Sequence, residues 1–507
     1  MANKTWEKQD YDCLDAEENK LFDTLEQLKS SKSGSYQKVI QAQTDLNDLM
    51  AEHRGIKGKK FNTTEFAEYL TKRLHAMEYN GIIHLYNRSL GIYEAVSENT
   101  LKRFMKQILD EYSKDKWSVS SEANYYTAFC RSITDLKAVK EIPELLVLNN
   151  GVLNTSKLEL YPHTPNLVRF TSLPYKYDKD KQAPKFIDTI NDIFNGHQPT
   201  IDNMQELFGY LLYYGKNYPL QKLFIFYGEG RNGKGVISQC INMMLGADNC
   251  SAIFADELQD RFGRQNLVDK MVNISPEKSD MRPMDTAYIK SLTGGDTIEI
   301  EQKYKQSFST KVYTKFIICT NEVPRVYDTS NGFLSRLVVF NFENTYVEDY
   351  DSETMPKYYK PMNKNLINEL AGEKQGILNW ALAGLKRLRE NNWNMTSNPE
   401  MSSLTTKLFR GSSPVYTFVT ECVKADTSGK IKTSTMFKRY KEWAVHSGLT
   451  TMDYDNNKKF RDLFLKYCKQ QKIPVSIVKN NVEYYRGVNL TREFITSFGE
   501  ENYNDPM

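Results

Sequence analysis

Gly228-Glu229-Gly230-Arg231-Asn232-Gly233-Lys234-Gly235 sets glycines and one lysine at a spacing that can do chemistry. Gly228, Gly230 and Gly233 let the backbone curl until its N–H groups converge on anionic oxygens. An apolar, aromatic run from Leu223 to Phe226 precedes the loop, and helical periodicity follows Lys234. Strand, glycine loop, lysine, helix is the order that cradles a triphosphate, with Lys234 placed where a helix dipole already favours anions. One departure stands out. The position after the lysine, where Ser or Thr would hold Mg²⁺, is Gly235, and Ser238 lies nearly one turn further on. A glycine-rich turn between a core strand and a core helix fits the loop taken alone, so the residues downstream decide.

Four features follow in order. Met271–Ser275 reads as a short strand ending at Pro276-Glu277. A carboxylate there can orient an attacking water and help hold the metal, with Asp280 close enough to share the task. Alternation over Thr297–Lys303 predicts a hairpin arm, with Lys303, Tyr304 and Lys305 near its exposed end. Such an arm can grip a nucleic-acid backbone, and a solvated hairpin fits the same residues. Asn321 directly follows the apolar run KFIICT, where an amide can contact a γ-phosphate or its water, although a plain Asn-Glu-Val-Pro turn reads the same way. Arg336 sits just before the apolar run LVVF, in place to reach a neighbouring subunit's nucleotide. Arg325 and Arg282 compete for that role.

These groups need a wound α/β scaffold, and the chain offers one. Strand-like runs SAIFA, KMVNIS, KFIICT and RLVVFNF alternate with helical stretches beyond Gly246. At 507 residues, several domains are expected. Residues 1–60 predict a helical arm, 61–185 an α+β domain, 186–395 the nucleotide domain and 410–507 a compact tail. Asn62–Met77 predicts a helix with a Thr cap and Glu65 close behind. GIIHLYNRSLGIYEAV predicts a hairpin turning near Asn87-Arg88-Ser89, and MTSNPEMSS predicts a linker. The net charge of +3 is unevenly spread: Lys430–Arg486 holds thirteen Lys or Arg against five Asp or Glu. A localised polyanion contact follows. In that tail, two helical stretches precede a hairpin around Lys479-Asn480-Asn481. The second helix leaves Lys458, Lys459, Arg461 and Lys466 outside an apolar face. Helix, helix, hairpin is a winged helix-turn-helix order, with the basic second helix suited to a major groove. A small protein-binding winged helix remains open. No apolar run approaches the ~20 residues that span a bilayer, and MANKTWEKQDYD has no apolar signal core, so a cytoplasmic protein without membrane contact is expected. Seven scattered cysteines without a CxxC pair predict reduced thiols rather than a disulfide framework or zinc site.

Taken together, GEGRNGKG, NISPEKSD, KSLTGGDTIEIEQKYK, CTNEVP and SRLVVFNF resemble the superfamily 3 helicases of phage and plasmid primase–helicase proteins. Within them, the set looks like replication initiators of mobile elements such as phage-inducible chromosomal islands. LNNGVLN, YPHTP, LPYKYD and FGYLL look like the domain these proteins carry ahead of the ATPase. The likeness is strong over residues 140–345 and weak on the flanks. It implies an AAA+ P-loop core, a hexameric ring, ATP and Mg²⁺ as cofactors, and 3′→5′ movement. Residues 1–140 hold no convincing pair of metal-binding carboxylates, so priming is not expected.

The sequence therefore predicts an ATP-dependent hexameric DNA helicase and initiator acting on single- and double-stranded DNA. Residues 228–235 would bind ATP. Lys234, Glu277, Asn321 and Arg336 would be catalytic, with Glu277 toward Mg²⁺. Lys303, Lys305, Lys458, Lys459, Arg461 and Lys479 would touch DNA. Two other classes remain open: a DNA-binding initiator that uses ATP only to assemble, and a P-loop phosphotransferase.

Overall fold

The computed structural model describes residues 62–110, 116–136, 142–215, 217, 219–260, 263–279, 282, 284–301, 307–324, 326, 330–411, 413–447, 456–479 and 481–498. The arm expected over residues 1–60 lies outside them.

The described residues begin with helix α1 (Thr63–Leu74). Its cap is Asn62 rather than a threonine: the Asn62 Oδ1 accepts from the Thr64 and Glu65 backbone N–H groups at 3.0 and 3.2 Å. Strands β1 (Ala76–Tyr79), β2 (Ile82–Asn87) and β3 (Ile92–Ala95) follow, then helices α2 (Glu98–Asp110) and α3 (Val119–Ser132) and the short β4 (Thr134–Asp135). The sheet order is β3-β2-β1-β4. Asn80 and Gly81, both at positive φ, make the two-residue turn that suits right-twisted strands. At the predicted second turn, the Asn87 side chain accepts from Ser89 N and Leu90 N. The apolar faces of α1, α2 and α3 close a core of Phe66, Leu70, Phe104, Ile108 and Phe129 over this sheet.

A three-stranded meander comes next: β5 (Leu145–Leu148), β6 (Gly151–Asn154) and β7 (Glu159–Tyr161). One face packs into the next core, where Leu146, Leu148, Leu153 and Tyr175 share a cluster with Phe224, Ile237 and Met244, while Val147 and Val152 on the other pack with Ile92 of β3. Tyr175 Oη donates to the Met244 carbonyl at 2.6 Å, which pins that junction. Helices α4 (Pro184–Ile193) and α5 (Gln198–Leu211) lead to the central sheet.

That sheet holds β8 (Leu223–Tyr227), β9 (Cys250–Ser251), β10 (Val272–Ser275), β13 (Lys315–Thr320) and β14 (Leu337–Asn341), in the order β14-β8-β13-β10-β9. Every pair is parallel. Both faces must therefore be covered, which is why β8 and β13 read as unbroken apolar runs. Period two divides β8: Phe224 and Phe226 face α5, α6 (Lys234–Leu245) and α10 (Lys374–Glu390). Leu223 and Ile225 face α7 (Thr286–Gly294), α8 (Asn331–Leu334) and α11 (Pro399–Gly411). Between α7 and β13 rises the expected hairpin, β11 (Ile298–Ile300) paired with β12 (Phe308–Thr310). Strands β15 (Thr345–Val347) and β16 (Tyr359–Pro361) and helix α9 (Leu366–Ala371) precede α10.

The predicted linker is half helix. Asn398 caps α11 by accepting from Met401 N at 3.1 Å, and Pro399 occupies the first turn. The tail then runs α12 (Pro414–Cys422), β17 (Val423–Lys432), α13 (Thr433–His446), α14 (Asn457–Gln470), β18 (Ser476–Lys479), β19 (Glu483–Leu490) and α15 (Arg492–Phe498). Its sheet order is β17-β19-β18. Strand β17 has no counterpart in the sequence reading, and it turns the predicted hairpin into a three-stranded sheet. Phe418, Tyr440, Phe460, Phe464 and Tyr485 fill the core between helices and sheet. Among the described residues no helix is long and apolar enough to cross a membrane.

Candidate nucleotide-binding site

The glycine loop leaves β8 at the C-terminal edge of the central sheet, where strand order reverses. Ligands of open α/β sheets collect at that position. Three residues of the loop take left-handed backbone: Gly228 (φ 150°), Arg231 (φ 59°) and Gly233 (φ 97°). At Gly228 a Cβ would lie 2.4 Å from Asn232 Nδ2 and 2.5 Å from the Phe342 carbonyl, so no larger residue fits. Asn232, buried, ties the loop together by donating to the Phe342 carbonyl at 3.3 Å and accepting from Lys234 N at 3.4 Å. The far side is fixed by Tyr346 N, which donates to the Arg231 carbonyl at 2.8 Å.

Lys234 begins α6, and only 4% of its side chain is exposed. A buried ammonium needs partners. Its Nζ donates to the Gly228 carbonyl, to the Glu229 carbonyl at 2.9 Å and to Asn321 Oδ1 at 2.9 Å, and it lies 3.1 Å from Glu277 Oε1. Glu277 stands two residues past β10, and Asn321 directly follows β13. Three parallel strands thus bring Lys234, Glu277 and Asn321 to one point. Glu277 remains 43% exposed and open to solvent on its outer side.

The Glu277 segment is itself anchored. Lys278 Nζ donates to the fully buried Asp256 carboxylate at 2.8 and 3.1 Å. Arg282 Nη2 donates to the Asp256 carbonyl and to Asp260, both at 2.9 Å. Burial pushes the Asp256 carboxyl up, but Lys278 and Arg282 outweigh it and hold the group below the usual range. On this chain Arg282 is therefore a structural clamp. Sequence spacing carries no sign of Asp256.

A cleft of about 630 Å³ opens beside the loop. Its far wall comes from α4 (Lys185, Asp188, Asp192) and from Tyr346, Met362 and Leu366. Tyr346 Oη donates to Asp192 Oδ2 at 2.6 Å and Lys360 Nζ to Asp192 Oδ1 at 2.8 Å, which fastens the wall to α4. The sequence singles out none of these residues, because the wall lies far from the loop along the chain and no spacing rule links them. Gly235 faces open space: a Cβ added there would meet nothing within 4 Å. The Ser238 hydroxyl turns back onto its own helix and donates to the Lys234 carbonyl at 2.9 Å.

Arg336 lies elsewhere. It precedes Leu337, which pairs with Leu223 at the start of β8, so it occupies the sheet edge opposite the glycine loop. The five residues of β8, at ~3.3 Å each, separate the two edges. Its Nη1 donates to the Lys290 carbonyl and to Thr293 Oγ1, both at 3.1 Å. Lys303, Lys305, Asp280 and Arg325 lie outside the described residues; strands β11 and β12, before and after the two lysines in the chain, pair antiparallel.

In the tail, Lys458 and Lys459 are exposed in the first turn of α14, and Asn456 caps it by accepting from Lys459 N at 2.9 Å. Partial desolvation beside neighbouring protein lowers the Lys459 ammonium's pKa, opposed by the Asp285 charge. Arg461 Nη1 donates to Glu483 at 2.8 Å, and Lys479 ends β18 directly opposite Glu483.

Comparison with known proteins adds kinship to this geometry. Residues 57–195 match the family model described as D5 N terminal like, and residues 226–336 match DUF5906, a family of unknown function. A helicase-named protein of Acanthamoeba polyphaga mimivirus is 24% identical over 246 residues, 44% of this chain and 25% of the relative. A helicase-named protein of Invertebrate iridescent virus 6 is 26% identical over 235 residues, 41% of this chain and 23% of the relative. The chain is similar to helicase-named viral proteins over less than half of its length. It spans about a quarter of the length of these relatives. Among solved structures, the apo form of the NrS-1 C terminal region aligns with 81% of this chain and 95% of its own, at 13% identity and a TM-score of 0.47.

Proposed function

We propose that this chain is an ATP-driven DNA helicase that assembles as a hexameric ring and initiates replication at a site recognised by its tail. The observation that carries the reading is the convergence of Lys234, Glu277 and Asn321 behind the glycine loop, with Lys234 Nζ 3.1 Å from Glu277 and 2.9 Å from Asn321. Backbone N–H groups of residues 228–235 hold the phosphates, and Lys234 exchanges its carbonyl partners for β- and γ-oxygens. Glu277 takes a proton from the water that attacks the γ-phosphorus, the bond to the β-phosphate oxygen breaks, and ADP and phosphate leave. Asn321 orients the γ-phosphate or that water. Mg²⁺ neutralises charge on the phosphate oxygens when bound. Glu277, partly exposed, would be the residue that helps hold it.

Arg336 serves the site of the next subunit, because it stands at the wrong edge to serve its own. Lys303 and Lys305 follow single-stranded DNA through the ring, and Lys458, Lys459, Arg461 and Lys479 contact duplex DNA. Lysines in the first turn of α14 oppose the helix dipole, an arrangement that an anionic partner relieves. Family resemblance implies 3′→5′ movement. Turnover of ATP, measured with and without single-stranded DNA, tests the reading: stimulation by DNA is expected, and no hydrolysis under either condition refutes it.

One observation favours a second reading, an initiator that binds ATP to assemble and does not unwind. Gly235 lacks the hydroxyl that would fix Mg²⁺. Under that reading turnover is slow and indifferent to DNA.

A further inference from the structure

The register of the tail sheet assigns each side chain to a face. Ile477, Tyr485 and Ile431 lie in one row across β18, β19 and β17, and Tyr485 and Ile431 are buried against the helices. The rows on either side therefore point away from the helices: Ser476, Arg486 and Lys430 in one, Val478, Tyr484 and Lys432 in the other. Lys430 and Arg486 are both exposed and stand directly opposite each other on adjacent strands. Like charges so placed destabilise a sheet. Among the described residues, no carboxylate is in ion-pair contact with either. The hairpin's own acid, Glu483, alternates onto the helix side and bonds Arg461 there. Lys430 Nζ lies 4.3 Å from the centre of the Tyr484 ring and covers one of its faces.

We propose that this outer sheet face is a binding surface for the phosphodiester backbone of duplex DNA, with Lys430 and Arg486 as its phosphate contacts. It is a second contact beside the first turn of α14, and it rests on the reading of the tail as DNA-binding. Two cations side by side with no carboxylate paired to either gain most from the polyanion with the denser charge, which is the duplex. As phosphate contacts, Lys430 and Arg486 position the DNA and carry no sequence information themselves.

The test uses the full chain, a labelled blunt duplex, no nucleotide and a salt titration. Lys430→Gln combined with Arg486→Gln should make the slope of log affinity against log salt shallower by about two. Near 0.1 M salt, that corresponds to a loss on the order of tens of fold. The melting temperature should stay level or rise, since a repulsion is removed, and this separates lost contacts from lost folding. Lys458→Gln with Lys459→Gln serves as the comparison. If the sheet variant keeps wild-type affinity and slope while the α14 variant loses binding, the sheet face is overturned and the DNA-binding tail stands. If the wild-type chain binds no duplex even at low salt, both fall.

Discussion

At the scale of residues, Gly228 and Gly235 share a loop and face opposite tests. Gly228 is hemmed in by Asn232 Nδ2 and the Phe342 carbonyl, at a φ that only glycine takes readily. Gly228→Ala should cost roughly 1–3 kcal/mol of local stability and lose nucleotide binding, as urea unfolding and a fluorescent-nucleotide titration would read. Gly235 has open space around it. Gly235→Thr should fold normally and lower the Mg²⁺ concentration for half-maximal ATP turnover, on the order of tenfold, by returning a hydroxyl ligand. An unchanged Mg²⁺ requirement would count against the metal's proposed place. The loop, Lys234, Glu277 and Asn321 are legible in the sequence because each follows a strand whose apolar run is easy to read. Asp256 is hidden there, since a buried carboxylate in a loop looks like any surface acid until Lys278 and Arg282 are seen to hold it.

Among the elements, the parallel strands and most helices are readable from unbroken apolar runs and helical periodicity. Strand β17 is not, because VKADTSGKIK is polar and broken by an irregularity between Ala425 and Lys430. Helix α11 reads as a linker although Asn398-Pro399 is a start signal, because its apolar face becomes meaningful only against β14. The N-terminal sheet carries a testable group. His84, buried on β2, donates from Nδ1 to the Ile82 carbonyl at 2.9 Å, and burial pushes its pKa down to about 4. The unfolded chain takes up this proton near pH 6.5, well before the folded chain does. Stability is therefore complete above about pH 6.5 and is lost as pH falls toward about 4, by about 3 kcal/mol. Hydrogen-exchange protection of Ile82–Asn87, corrected for intrinsic rates, should show that loss in wild type and a flatter profile in His84→Gln. Equal slopes in both would assign the acid sensitivity to other groups.

For the whole molecule, the claim is that chemistry is shared between subunits. Arg336 stands at the sheet edge away from its own Lys234, held by Lys290 and Thr293 at the end of the helix that leads into the β11–β12 hairpin. Lys234→Ala and Arg336→Ala chains should each be inactive alone. Mixed in equal amounts, they should regain turnover, because about a quarter of head-to-tail interfaces then pair an intact Lys234 with an intact Arg336. A mixture as inactive as its parts would place Arg336 outside the neighbour's site. The most direct measurement of the central claim is strand separation of a labelled forked duplex by the wild-type chain and by Lys234→Ala, with ATP and Mg²⁺. The account predicts that the wild type releases the strand only when ATP is hydrolysed and that Lys234→Ala releases none. Steady hydrolysis by the wild type with the duplex left intact would contradict it.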